Sequence, residues 1–250
     1  MIICKSKKDL FLIDILCVVL GGLIRIIYCI VYPVPVRDAF VYKEFIESWN
    51  YSGIIPGDSY FPPLGLFLLK IPYSLFEYDV IKGGTIVNIV LGLGIIITLI
   101  SVSYEIYPSK IVALCSGLLV ATHPTLVHYS CQMTRENPYL FFSCLATLFF
   151  LKSLNRTSKP FYVVYAAIFS TSAFLCRFEA LELFVIFVLL IICLNFKSIS
   201  TGIKKLFLFT SFSVISFGSI IYIINIPISY FWDDRYLWRF KFILDILKQG

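Results

Sequence analysis

The chain predicts an all-α, polytopic transmembrane helical bundle of about seven spans. Three observations carry that expectation. Hydrophobic residues make up 59% of the 250 residues, charged residues only 14%, and the mean hydropathy is +0.90. The apolar residues fall in runs of roughly 17 to 25, enough for a helix to cross a hydrocarbon core about 30 Å thick. The basic residues sit beside alternate runs rather than in one patch. This composition is far from that of a soluble domain, and the dispersed net charge of +6 gives no nucleic-acid footprint.

The first span, Leu10–Tyr32, follows Lys5, Lys7 and Lys8. Its apolar stretch exceeds the roughly 7–15 residues of a signal-peptide core, and no small-x-small cleavage pattern precedes the polar loop, so an uncleaved anchor is expected. Asp14 and Arg25 lie three helical turns apart within it, about 16 Å along the axis, and so share a face without pairing. Asp14 is expected near the cytoplasmic interface. Arg25 either faces the bundle or snorkels outward.

The first loop, residues 33–83, carries most of the chemistry expected of the chain. Pro33 and Pro35 stop the first helix and leave an extended stretch. Asp38 follows where a new helix begins, and its charge suits a helix N-terminus. From Ala39 to Trp49, apolar Phe40, Val41, Phe45, Ile46 and Trp49 are interleaved with Lys43, Glu44 and Glu47, the pattern of a helix lying on a membrane surface. Asp38 and Tyr42 are four apart and share a face. Gly53, Pro56 and Gly57 then break the chain before Tyr60-Phe61-Pro62-Pro63-Leu64, which leads into a second short apolar helix.

The remaining spans are read at Gly84–Tyr104, Ile111–Val127, Asn137–Leu151, Phe161–Cys176, Leu181–Phe196 and Leu206–Ile226. Those beginning at Asn137, Phe161 and Leu181 are short, so their ends extend into flanking polar residues. Gly92-x-Gly94 lies inside a span and reads as a close-packing site rather than a phosphate loop. After Pro227, Trp232-Asp233-Asp234 precedes an amphipathic stretch, Arg235–Lys248, expected as an interfacial helix. The two aspartates either start that helix or form a second acidic site. The chain thus divides into a transmembrane domain, 1–227, and an extracytoplasmic amphipathic tail, 228–250. Eight cysteines without CxxC or zinc-like spacing read as small buried hydrophobes; no disulfide framework and no metal site is expected.

Charge sets the orientation. With the N-terminus in the cytoplasm, the inner segments carry Lys5, Lys7, Lys8, Lys110, Lys152, Arg156, Lys159, Lys197, Lys204 and Lys205, as the positive-inside rule requires. The sequon Asn155-Arg156-Thr157 then falls inside and is a chance match. The opposite face receives Asp38, Tyr42, Pro62, Pro63, His123, His128, Arg135, Glu136, Arg177, Glu179, Asp233 and Asp234. A transporter with a midplane site would scatter ionisable groups inside its helices, and the spans lack an interrupted pair in two similar halves. Groups ringing one face instead suit a site at the outer interface, open to a lipid from the side and to a second substrate from above. Each residue also has a plainer role. Asp38 suits a cap, Arg135-Glu136 a pair at a helix end, Arg177 an interfacial anchor, and His123 a helix-end residue before Pro124.

The order of these pieces resembles a known family. Arg37-Asp38-x-x-x-Tyr42, a surface helix, then Pro62-Pro63-Leu64 leading to Leu68-Leu69 is similar to the GT-C superfamily of membrane glycosyltransferases, in its protein-mannosyltransferase and aminoarabinose-transferase-like branch. Ala121-Thr122-His123-Pro124 followed by Arg135-Glu136-Asn137-Pro138-Tyr139 resembles the segment entering that family's fourth helix. Leu175-Cys176-Arg177-Phe178-Glu179-Ala180-Leu181 resembles its arginine-containing turn. The similarity covers most of residues 10–200.

The resemblance implies a hexosyltransferase-like enzyme, integral to the plasma or inner membrane, with its active face extracytoplasmic. It would move a sugar from a polyprenyl-phosphate carrier to a glycan, lipid or protein acceptor. Asp38 maps onto the family's first-loop aspartate, a catalytic base or acceptor-orienting group, assisting an inverting transfer. Arg177 first and Arg135 second map onto its lipid-phosphate ligands, with Glu136, Tyr42 and His123 as further substrate-binding candidates. The chemistry is coherent: an acceptor hydroxyl or amine needs a carboxylate within hydrogen-bond reach, and a departing phosphate needs cationic donors. No cofactor is implied. Some relatives hold a divalent metal with paired acids, whereas Arg37 stands here where a second acid would be, so no metal is expected. Full members run to about twice this length, which suggests a truncated frame, a short member or one piece of a split enzyme. The alternatives are a non-catalytic lipid-binding or transport protein, or a degenerate GT-C scaffold for a partner.

Overall fold

The structure, a computed structural model, describes residues 7–53, 55, 62–76, 79–154, 159–195 and 199–226. The expected tail helix with Asp233-Asp234, the sequon at Asn155, and Tyr60-Phe61 lie outside the described residues, and with them the domain 228–250. The elements are helical throughout: α1 (Lys7–Val31), α2 (Arg37–Ser52), α3 (Pro63–Phe76), α4 (Val80–Ile106), α5 (Lys110–Thr122), α6 (Pro124–Ser130), α7 (Glu136–Leu154), α8 (Phe161–Cys176), α9 (Leu181–Leu194) and α10 (Ile199–Ile224), with a 3₁₀ turn at Phe178–Ala180.

The boundaries follow local chemistry. Pro33 and Pro35 hold the 32–36 connection out of helix. Gly53 ends α2 in the left-handed region, at φ 70°, and its N–H returns to the Trp49 carbonyl. Asp79 caps α4 by accepting the Lys82 N–H at 2.8 Å. Pro124, which has no N–H to donate, starts α6 and leaves His123 extended, so that α5 and α6 meet at a 58° bend.

Helix length changes the expected span count. Four helices among the described residues are long and apolar enough to cross a membrane: Leu10–Val31, Val80–Ile106, Glu136–Leu154 and Ser200–Ile224. The bent α5–α6 pair makes a fifth if it is one span. Phe161–Cys176 is apolar but shorter, and α9 has 14 residues, about 21 Å of helix. A count of seven therefore exceeds what helix length alone gives, because Pro124 divides one expected span and two others stop short.

α4 is the hub, packing on α1, α3, α5, α6 and α7, while α7 and α8 form the other tight pair with α10 beside them. Glycines allow the close approaches. A Cβ at Gly92 would strike the Ser130 hydroxyl, one at Gly94 would lie 2.6 Å from the Phe141 ring, and one at Gly84 would lie 2.6 Å from Met133. Gly92-x-Gly94 is thus the close-packing site expected of it. Three apolar clusters result. Cys17, Ile96, Ile100, Ala113 and Ala121 join α1, α4 and α5. Around Phe150, Phe187 and Phe209, α7 to α10 pack, with the Phe150 and Phe187 rings stacked at 4.2 Å. The third seats α2: Ala39, Tyr42, Ile46 and Trp49, one stripe of that helix, are buried on Leu66, Leu69, Met133 and Leu175. Large apolar residues on the outer faces of α1 and α10, among them Leu23, Ile30, Val214 and Ile223, remain exposed, as lipid contact requires.

Residues 131–135 join α6 to α7 outside regular helix, with only the Cys131 N–H returning to α6 and the Arg135 carbonyl engaged by α7, although Cys131 to Thr134 are buried. Side-chain amides take over. Asn88 Nδ2, within α4, donates to the carbonyls of Gln132 at 2.6 Å and Thr134 at 2.8 Å. Asn137 Nδ2 donates to the Asn88 carbonyl at 2.8 Å and to Ser130 Oγ at 3.0 Å. The Gln132 side chain in turn accepts the Val36 N–H at 3.0 Å and donates to the Val34 carbonyl at 3.3 Å. Arg25, 1% exposed, faces the bundle and donates to the Gly21 and Ala121 carbonyls, the latter in the last turn of α5 where a cation is favoured. Asn88→Ala strands two buried carbonyls, at about 1–3 kcal/mol each. The variant in nanodiscs is expected to melt well below wild type, and an unchanged midpoint would remove this clamp from the account.

Candidate functional site

α2 enters the site through its second residue. Asp38 lies in the first turn, exposed, after the extended Val36 that precedes the helix. One turn later Tyr42 is 1% exposed, held in the apolar cluster beneath α2. From the second direction come Arg135 and Glu136, half-buried where the clamped 131–135 segment enters α7. From the third comes Arg177, whose extended backbone ends α8 before the 3₁₀ turn.

Arg177 ties the last two together. Its Nη1 donates to Glu136 Oε1 at 3.3 Å and its Nε to Glu179 Oε2 at 3.2 Å, and its guanidinium lies 5.8 Å from the Tyr139 ring centroid. The carboxylates of Glu136 and Glu179 thus hold one guanidinium from two sides. α3 closes the floor: a Cβ at Gly65 would sit 3.6 Å from both Arg135 Cβ and the Cys176 carbonyl, so the helix entered at Pro63 lies directly under the arginines.

Tyr42 senses all of these charges. Burial pushes its phenol up to about 12; Arg135 and Arg177 draw it down, while Glu136 and Asp38 push it further up. The phenol is therefore neutral across the physiological range and keeps its proton to donate. Asp38, Arg135, Glu136 and Arg177, distant in sequence, thus all act on the Tyr42 phenol. His123 joins none of these interactions: it occupies the exposed α5–α6 bend, while His128 on α6 bonds Tyr28 Oη through Nδ1 at 2.9 Å. Among the described residues no group of three or more His, Cys, Asp or Glu side chains is placed to hold a metal ion.

Two participants carry more weight here than the sequence suggests. Glu179 shares Arg177 with Glu136, and Tyr139 lies against the same guanidinium. The spacing Arg177-x-Glu179 and the position of Tyr139 one turn after Glu136 are the signals that point to them.

The fold and the site together describe a helical membrane protein with a cluster of charged and hydrogen-bonding groups where α2, α7 and α8 meet. Residues 61–222, more than half of the chain, match the family model of dolichyl-phosphate-mannose-protein mannosyltransferases, and the chain belongs to that family. It is at this level a membrane glycosyltransferase, integral to the bilayer through its apolar helices. The matched segment includes Arg135, Glu136 and Arg177 and begins after Asp38 and Tyr42. Comparisons with curated proteins and with solved structures gave no match.

The raised phenol has a linked effect on stability. Unfolded tyrosine ionises near 10 and Tyr42 near 12, so between these values the folded state holds a proton that the unfolded state has lost. Tyr42 then contributes stability that is fully present below about pH 10 and is lost as pH rises towards 12. Tyr42→Phe is expected to flatten the fall in denaturation midpoint over that window, measured against wild type in the same detergent.

Proposed function

We propose that the chain transfers a hexose from a polyprenyl-phosphate carrier to an acceptor on the extracytoplasmic side, with Asp38 as the base. The observation that carries this reading is the convergence of Asp38, Arg135, Glu136 and Arg177 around the Tyr42 hydroxyl from three separate segments. Asp38 is exposed and stands in the first turn of α2, with its side chain open to the aqueous side. An acceptor hydroxyl arriving from the aqueous side meets this carboxylate, which takes the proton as the oxygen attacks the anomeric carbon.

The leaving group is a polyprenyl phosphate, and its developing charge needs fixed donors. Arg177 commits Nη1 and Nε to Glu136 and Glu179, leaving further N–H groups of its guanidinium to a phosphate. Arg135 stands beside it over Gly65. Glu136 holds Arg177 in place, and neutral Tyr42 supplies a hydroxyl between donor and acceptor positions. His123 is left as a residue of the rim. Lys110, Lys152, Lys159, Lys204 and Lys205 all lie at or beside helix ends opposite the site, which supports a cytoplasmic N-terminus and an outward site. The donor is thus reached laterally from the outer leaflet of a plasma or inner membrane.

Asp38→Asn is expected to lower transfer by about 10²–10⁴-fold, the usual worth of a positioned base, without lowering membrane abundance. Transfer at the wild-type rate would remove Asp38 from the mechanism. Donor binding is read separately. In nanodiscs, polyprenyl-phosphate sugar at about a hundred times its dissociation constant should stabilise wild type by about 2.7 kcal/mol. Arg177→Ala is expected to lose that shift and Arg177→Lys to keep part of it. An equal shift in all three proteins would exclude Arg177 as the phosphate ligand.

A further inference from the structure

The outer end of α1 and the clamped 131–135 segment meet at a pair of cysteines that the transfer reaction does not use. Cys29 is half-buried on the last turns of α1, and Cys131 is 6% exposed. Cys131 Sγ donates to the Arg25 carbonyl at 3.3 Å. Inside α1 that same carbonyl receives the N–H of the residue four positions on, which is Cys29. The sulfur of Cys131 therefore lies against the turn from which Cys29 projects. Both also line one open cavity of about 510 Å³, whose wall includes Pro33, Pro35, Lys82 and Gln132. A small disulfide reagent can reach Cys29 through it.

We propose that Cys29 and Cys131 form a redox pair that closes into a disulfide, stapling the end of α1 to the segment that carries Arg135 and Glu136. The oxidant is a disulfide, either a small molecule or a thiol–disulfide oxidoreductase. The Cys29 thiolate attacks one sulfur of that disulfide, forming a mixed disulfide and releasing the first thiolate. Cys131 then loses its proton and attacks the Cys29 sulfur, forming the Cys29–Cys131 bond and releasing the second thiolate. Two protein thiols and one disulfide become one protein disulfide and two free thiols. The physiological setting rests on the outward orientation proposed above, since disulfides persist in oxidising compartments. The staple itself depends only on the two side chains meeting at this turn and cavity.

The test uses the full chain in nanodiscs with oxidised glutathione as the oxidant, followed by alkylation of remaining thiols and non-reducing peptide mapping. Cys29 and Cys131 are expected to lose alkylation together and to appear in one cross-linked peptide that dithiothreitol separates again. Cys115 and Cys193, exposed on the apolar helices α5 and α9 and so turned to lipid, serve as internal references expected to escape glutathione and remain alkylatable after denaturation. Cys29→Ser should leave Cys131 alkylatable after oxidation, and the reductant reversal in wild type needs no variant to fold. Glutathione retained on Cys29 with Cys131 still alkylatable would overturn the proposal, as would cross-linking of either cysteine to a different partner. Because no sugar transfer is measured, this outcome is independent of the catalytic reading.

Discussion

Backbone without helix, buried inside an apolar bundle, is the constraint on which the structure depends. Every peptide group in such a place needs a partner that water would otherwise supply. The carbonyls of Gln132 and Thr134 meet this demand through the Asn88 side chain, while Asn137 and Gln132 tie the adjoining backbone of α4 and the first loop to the same place. The Gln132 amide both donates and accepts, while those of Asn88 and Asn137 each donate twice, so a few residues bridge α4, α7 and the end of the first loop. The arginine and glutamate at the mouth of α7 owe their position to this lattice. Remove a donor and the loss is not one hydrogen bond but an unsolvated carbonyl in a medium of low dielectric.

Close packing makes the lattice possible. Gly92 admits Ser130, which receives Asn137, and Gly84 admits Met133, which fills the space beneath Tyr42. Arg25 belongs to the same layer: its guanidinium satisfies the carbonyl that α5 leaves open before its bend, while its own carbonyl takes the Cys131 thiol. The charged cluster above is then anchored twice, from below by amides and laterally by Arg177 between two carboxylates.

Much of this was legible in the sequence, and the rest failed for physical reasons. Long apolar runs, the break at Pro33 and Pro35 and the amphipathic stripe from Ala39 to Trp49 announce α1, α4, α10 and the surface helix, because period and proline chemistry are local. That stripe buries Tyr42 and Ile46 while Phe40 stays outside, a choice that only packing against α3 and α4 makes. The span at Ile111–Val127 reads as continuous in hydropathy, which is blind to the N–H that Pro124 lacks. The pairing of Arg177 with Glu136 crosses 41 positions and is visible only in three dimensions. Asn88 was the missed signal: a carboxamide deep in an otherwise greasy helix announces backbone that needs help, but not where that backbone lies.

Gln132 holds Val34 and Val36 as a neighbouring strand would, one bond in each direction across its side-chain amide. The bonded atoms on the loop are main-chain atoms, indifferent to which residues carry them. Spacing is another matter. Adding or deleting one residue between Val36 and Asp38 rotates everything after it by about 100° around the α2 axis, carrying the carboxylate away and Tyr42 out of its socket. The connection therefore works as a ruler: beyond the prolines that keep it out of helix, its length matters more than which side chains it carries.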